Sequence, residues 1–142
     1  MKQYAYKGFG EASKKSHWYS SAVRVGDLIH CAGQGGFYDE TLDISKLVSE
    51  QIDQAFVNVD TALKDAGGKG WSQVYRVTSY HIQLDEEAQD AMVRNFKKWM
   101  PDNHPIWTCV QIGRLGADTM RVEIEVSAFD PEGANEATTS KV

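Results

Sequence analysis

Two runs near the C-terminus hold the residue types on which chemistry could rest. They are His104-Pro105-Ile106-Trp107-Thr108-Cys109-Val110-Gln111-Ile112 and Arg121-Val122-Glu123-Ile124-Glu125-Val126-Ser127-Ala128. Each alternates with the two-residue period of a β-strand. In the first, Ile106, Thr108, Val110 and Ile112 share one face, and Trp107, Cys109 and Gln111 share the other. In the second, Met120, Val122, Ile124, Val126 and Ala128 share one face, and Arg121, Glu123, Glu125 and Ser127 the other. If the apolar faces rest on a helical layer, Trp107, Cys109 and Glu123 point together to the opposite side. A carboxylate beside a large aromatic, away from the core, is a candidate small-molecule site. Glu123 could hold a water against an electrophilic carbon as a general base. Trp107 would offer a flat stacking face and cation–π attraction. The same residues admit plainer readings: Glu123 in a structural ion pair across a subunit interface, and Trp107 as a plug.

Other chemistry finds little support. Cys109 would need a nearby base to act as a nucleophile. His17, His30, His81 and His104 form no recognisable pair with it, so Cys31 and Cys109 read as buried, inert thiols. No H-x-H, H-E-x-x-H or C-x-x-C spacing suggests a metal, and no cofactor is expected. Gly33 to Gly36 lacks the lysine that follows a phosphate-binding loop.

The elements that must position these residues follow from periodicity. Residues 1–6 suit a short strand, and 7–16 read as a Gly-, Ser- and Lys-rich loop. Tyr19–Val25 and Leu28–Ala32 read as strands joined by Gly26-Asp27, a connection of hairpin length. Gly33-Gln34-Gly35-Gly36 then reads as a turn whose amides a ligand could approach. Apolar residues from Leu47 to Ala66 recur at helical spacing, with Asp43 or Ser45 as the cap and Gly67-Gly68 as the stop. Val74–Leu84 reads as a strand. Asp85-Glu86-Glu87 opens a second helix, whose stripe runs from Ala88 to Met100. The order β-β-β-α-β-α-β-β predicts an α+β fold, a single mixed β-sheet with two helices packed on one face. The other face, too aromatic to be left in water, predicts self-association.

A chain of 142 residues fits one domain, expected over 1–130, with 131–142 as a flexible C-terminal tail. A net charge of −5 argues against a nucleic-acid surface. No apolar run is long enough to span a membrane, and Met1 to Tyr6 contains no secretory signal, so the expected setting is cytoplasmic.

Three segments together resemble the Rid family (reactive intermediate deaminases, also called YjgF or L-PSP). Pro105-Ile106-Trp107-Thr108-Cys109-Val110 and Val122-Glu123-Ile124-Glu125-Val126 are similar to the family's Pro-Ala-Arg-Ser-Cys-Val and Ile-Glu-Ile-Glu-Ala. Val25-Gly26-Asp27-Leu28, followed by Ala32-Gly33-Gln34, resembles its Val-Gly-Asn-Leu and Ser-Gly-Gln. Tyr19 stands where its pocket tyrosine does. The resemblance covers roughly residues 17–130. It implies a barrel-forming homotrimer with ligand clefts between subunits. It implies a glutamate that positions water, Glu123, and substrate-binding positions at Tyr19, Gly33 and Cys109, the last mainly through its backbone. The family's arginine, which clamps the substrate carboxylate, falls on Trp107. A neutral indole cannot replace a forked guanidinium. For an anionic ligand the loss is on the order of 1.5–3 kcal/mol. Arg76, Arg114 and Arg121 do not match that position, although Arg121 could pair with Glu123 or Glu125. The resemblance therefore implies a small metabolite in an intersubunit cleft, with hydrolysis of a reactive imine or enamine and weak or absent activity on 2-imino acids. The alternatives are a non-catalytic ligand-binding or chaperone-like module and, least favoured by the acidic charge, an L-PSP-type endoribonuclease or translation inhibitor.

Overall fold

The computed structural model describes residues 1–38 and 41–139, except for the side chains of 138 and 139. The elements run β1 (Lys2–Tyr4), α1 (Phe9–His17), β2 (Ala22–Val25), β3 (Leu28–Gln34), β4 (Phe37–Tyr38), β5 (Asp43–Ile44), α2 (Val48–Asp65), a 3₁₀ turn (Trp71–Gln73), β6 (Val74–His81), α3 (Glu86–Trp99), β7 (Ile106–Gln111), β8 (Val122–Phe129) and α4 (Pro131–Thr139). Six strands form one sheet in the order β1-β2-β3-β8-β6-β7. It is mixed, because β7 pairs parallel to β6 while the other neighbours are antiparallel.

α2 and α3 pack on one face of this sheet, as their apolar stripes predict. Ile52, Phe56 and Val59 of α2 and Met92 of α3 are fully buried in one cluster with Val122, Ile124 and Ala128 of β8. α2 ends where expected: Gly67 takes a positive φ of 88°, and the Gly68 amide donates to Leu63 O at 3.0 Å. α3 starts where expected: Asp85 caps it by accepting from the Ala88 amide at 2.9 Å. Across the core runs an aromatic chain. Trp71 stacks on Phe56, Phe56 meets Phe96 edge-on, and Phe96 meets Trp107 edge-on at 5.0 Å. A buried ion pair joins Arg24 to Asp130 at 2.6 Å, and Arg24 also donates to Ala66 O at the end of α2.

Several expectations are corrected. Residues 7–16 are not a loop but largely helix α1. Its sequence has little helical drive of its own, but Phe9 stacks on Phe37 at 5.4 Å and Gly10 and Ser13 are buried. Tertiary contact stabilises a short helix that propensity alone would not. The predicted strand Tyr19–Val25 begins only at Ala22, and Leu28–Ala32 extends through Gly33 to Gln34, whose buried amide accepts from Tyr6 Oη at 2.9 Å. Asp43 lies in the small β4–β5 hairpin, and Leu47 occupies the N-cap of α2. Ser45 instead accepts from the Leu47 amide. The β6 strand stops at His81 rather than Leu84. The tail expected to be flexible is helical over Pro131–Thr139, because Asp130 accepts from the Gly133 and Ala134 amides and starts the turn. Residues 140–142 lie outside the described residues.

Candidate functional site

The register of the sheet decides which residues can meet. Directly paired residues on neighbouring strands point the same way. On β6 and β8, Tyr80 faces Glu123, Thr78 faces Glu125, and Arg76 faces Ser127. These six side chains share the face turned away from α2 and α3. On β6 and β7, Val77 pairs with Trp107 and Ser79 with Cys109. Val77 and Ser79 are buried under the helices, so Trp107 and Cys109 point there too.

This corrects the expected grouping. Trp107 and Cys109 lie on the opposite side of the sheet from Glu123; Ile106, Thr108 and Val110 occupy the open face instead. The cause is local. β7 is an edge strand, apolar on both faces, and the aromatic chain ending at Phe96 draws the indole inward. The indole N–H is also committed: Trp107 Nε1 donates to Ser79 Oγ at 2.9 Å. The same hydroxyl lies 2.9 Å from His81 Nε2 and hydrogen-bonds the Cys109 thiol. Burial pushes the Cys109 thiol up, which suits an inert side chain. Burial lowers His81, partly opposed by Asp85, so its imidazole is held neutral. Its buried Nδ1 has no partner among the described residues.

Glu123 and Gly33, both expected site positions, lie against each other. A Cβ on Gly33 would fall 2.5 Å from Glu123 Cδ and 2.6 Å from Cγ, so only glycine lets β3 pass this close to the carboxylate. A bulge in the β3–β8 register between Cys31 and Gln34 makes the approach. Glu123 makes no side-chain hydrogen bond or ion pair among the described residues. Burial, reinforced by the neighbouring Glu125, raises its carboxyl above the usual 4.5. Glu125, by contrast, is engaged, accepting from Tyr80 Oη at 2.7 Å. Tyr80, raised chiefly by that hydrogen bond, is a site neighbour that sequence reasoning missed; its place on the same strand parity as Arg76 and Thr78 was the available signal.

Tyr19 stands apart. It lines a groove with Lys14, Trp18 and Val23 near the β1–β2 edge, whereas Glu123 lines a different depression. Among the arginines, Arg121 donates to the carbonyls of Asp118 and Met120 rather than to either glutamate. Arg114 pairs with Asp118 and, with Tyr80, Leu115 and Glu123, lines an open depression of about 480 Å³. Among the described residues no group of three or more potential ligands could hold a metal ion, and no helix is long and apolar enough to cross a membrane.

The same architecture recurs in known proteins. A sequence profile described as Endoribonuclease L-PSP matches residues 10–129, nearly the whole sheet and both core helices. The chain belongs to the Rid/YjgF/L-PSP family. RutC family protein YjgH of Escherichia coli is 30% identical over 116 residues, covering 82% of this chain and 86% of the relative. A solved structure of a protein named YjgH superposes with a TM-score of 0.77 at 28% identity, covering 93% of this chain and 99% of that one. RidA from an Antarctic Psychrobacter species gives 0.71 at 27% identity, covering 78% and 87%.

Proposed function

We propose that this Rid/YjgF/L-PSP protein binds a small metabolite in clefts between the subunits of a homotrimer and hydrolyses a reactive imine or enamine that carries no carboxylate. The observation behind this reading is the state of Glu123: unpartnered, raised by burial, and pressed against a glycine. A carboxylate so held is suited to accept a proton from water as its oxygen adds to the C=N carbon. The C–N bond then breaks, ammonia leaves, and a carbonyl remains. Gly33 supports the reading by letting a ligand approach main-chain amides beside that carboxylate.

Trp107 sets the expected substrate class. It brings no charge, its N–H is committed to Ser79, and its ring completes the core. A 2-imino acid would therefore meet Glu123 without the guanidinium that clamps its carboxylate, and the two anions would repel. The open sheet face supports self-association, because Val25, Ile106 and Phe129 are half-exposed or more on it. In the proposed trimer Tyr19 comes from the neighbouring subunit, which accounts for its lining a different depression from Glu123 within one chain. Cys109 contributes through the backbone of the edge strand. A cytoplasmic setting belongs to the same proposal.

The test compares the carboxylate-free imine that a flavin amine oxidase releases from benzylamine with 2-iminobutyrate, generated in situ from threonine by a dehydratase. The expected result is acceleration on the benzylamine imine and a near-inert protein on 2-iminobutyrate. A wild type that hydrolyses 2-iminobutyrate well would overturn the substrate assignment and point to Arg114, beside Glu123, as the carboxylate's partner.

A further inference from the structure

Ser79, His81, Trp107 and Cys109 form a polar cluster on the helix-covered face of the sheet, and one atom of it is left over. Ser79 and His81 are fully buried. A hydroxyl can accept two hydrogen bonds and donate one. Trp107 Nε1 donates to Ser79 Oγ, His81 Nε2 lies 2.9 Å from the same oxygen, and the Cys109 thiol is its third partner. These three neighbours use the whole capacity of the hydroxyl. His81 Nδ1 is sealed from water and has no partner among the described residues.

A neutral imidazole tolerates this arrangement. With its proton on Nε2 it donates to Ser79 and leaves only a lone pair at Nδ1, and an orphaned buried acceptor is commoner than an orphaned N–H. An imidazolium does not, because both ring nitrogens then carry hydrogens and the second finds no acceptor. The surrounding elements offer little relief. β8 brings the apolar Val122 opposite the ring. β7 brings Cys109 and Gln111, whose Oε1 already accepts from the Leu84 amide. The start of α3 brings Asp85, the one charged group acting on the ring among the described residues, and its Oδ1 is engaged by the Ala88 amide.

A protonated ring must therefore find water. β7 is the element that can give way, because it is an edge strand paired to β6 alone. An open groove lined by Phe96 and Trp107 already separates it in part from α3, and Trp107 is tied to the same serine as His81. We infer that His81 is an acid switch whose protonation releases β7, with Trp107, from α3. Burial disfavours the charged ring in the packed state. The opened ring takes up a proton near the ordinary 6.5, the packed ring only at lower pH. The packed state is thus fully stable above about pH 6.5 and is lost as pH falls below it, the opening equilibrium rising up to about tenfold per pH unit. This inference stands apart from the proposed activity.

Amide hydrogen exchange of wild type and His81→Gln, read by mass spectrometry at about pH 7 and about pH 5 and corrected for the intrinsic rates, tests it. Glutamine stays neutral and keeps a donor for Ser79, and His17, His30 and His104 are common to both proteins. Protection of residues 106–111 should fall about tenfold or more on acidification in wild type and hold in His81→Gln, while β3 and β8 keep theirs in both. A fall of equal size in the two proteins, no fall in either, or a loss shared by every strand overturns the switch. Ring-carbon NMR of the wild type gives a reading that does not depend on the variant folding. His81 should remain neutral in the folded protein through pH 6.5, and a folded-state His81 that titrates at or above that value overturns the inference.

Discussion

Gly33→Ala is the perturbation that separates the arrangement at Glu123 from the stability of the fold. Gly33 has no positive φ, so its backbone accepts alanine. The new methyl would sit 2.5 Å from Glu123 Cδ and 2.7 Å from Oε1, against the 3.4–4 Å of ordinary contact. The carboxylate must therefore retreat by about 1 Å, and because Cγ is also too close at 2.6 Å, the whole side chain must change its rotamer. That change costs about 0.5–1.5 kcal/mol. Replacing a strand glycine returns roughly 0.5–1 kcal/mol. The two nearly cancel, so the melting temperature should move by less than about 4 °C. A displacement of about 1 Å in a catalytic group can cost about 100-fold in rate. The assay follows the imine that a flavin amine oxidase releases from benzylamine, read as ammonia formed above the uncatalysed rate. Turnover should fall about 100-fold while melting and sedimentation stay close to wild type. A Gly33→Ala protein with unchanged turnover would refute the placement of Glu123 at the reacting carbon.

Further consequences follow from the packing. Arg24→Met leaves Asp130 buried without its partner and should cost about 3–5 kcal/mol in urea unfolding. In the wild type, burial pushes the Asp130 carboxyl up, but hydrogen bonds from Arg24, Gln73 and the Gly133 amide hold it, on balance, below the ordinary 3.8. A depressed acid stabilises fully above its unfolded value and loses that contribution as pH falls toward the folded one, so acid unfolding should steepen below about pH 4, less so in Arg24→Met. Cys31, pushed up to about 12 by burial, and Cys109, also raised, should both react slowly with a thiol reagent at pH 8 in the folded protein, Cys109 first, and rapidly in denaturant.

How far the sequence revealed this structure depended on whether one face of each element was clearly polar. β8 was legible because Glu123 and Glu125 alternate with Val122, Ile124 and Val126, so only one orientation buries the apolar set. α2 and α3 were legible from their stripes and end signals. β7 was not, because Ile106, Trp107, Cys109 and Val110 make both of its faces apolar. Its facing is set by Phe96 and Ser79, residues distant in sequence. α1 and α4 were missed for a related reason. Neither carries a strong stripe; α1 depends on Phe37, distant in sequence, whereas α4 had a local start signal in Asp130-Pro131 that its polar, aperiodic sequence outweighed. The pairing of Gly33 with Glu123 was reached only through the family resemblance, since 90 residues separate them. That Tyr80 faces Glu123 became visible only once the register was known, and Arg114 joins them through the loop after β7.

Whether Glu123 directs water at a carboxylate-free imine is decided by Glu123→Gln against wild type on the benzylamine-derived imine. The isosteric amide keeps the packing against Gly33 but cannot accept the water's proton. Wild type should accelerate hydrolysis, and Glu123→Gln should lose about 100-fold or more of that acceleration with sedimentation unchanged. A variant as active as wild type, or a wild type that adds nothing to the uncatalysed rate, would contradict it.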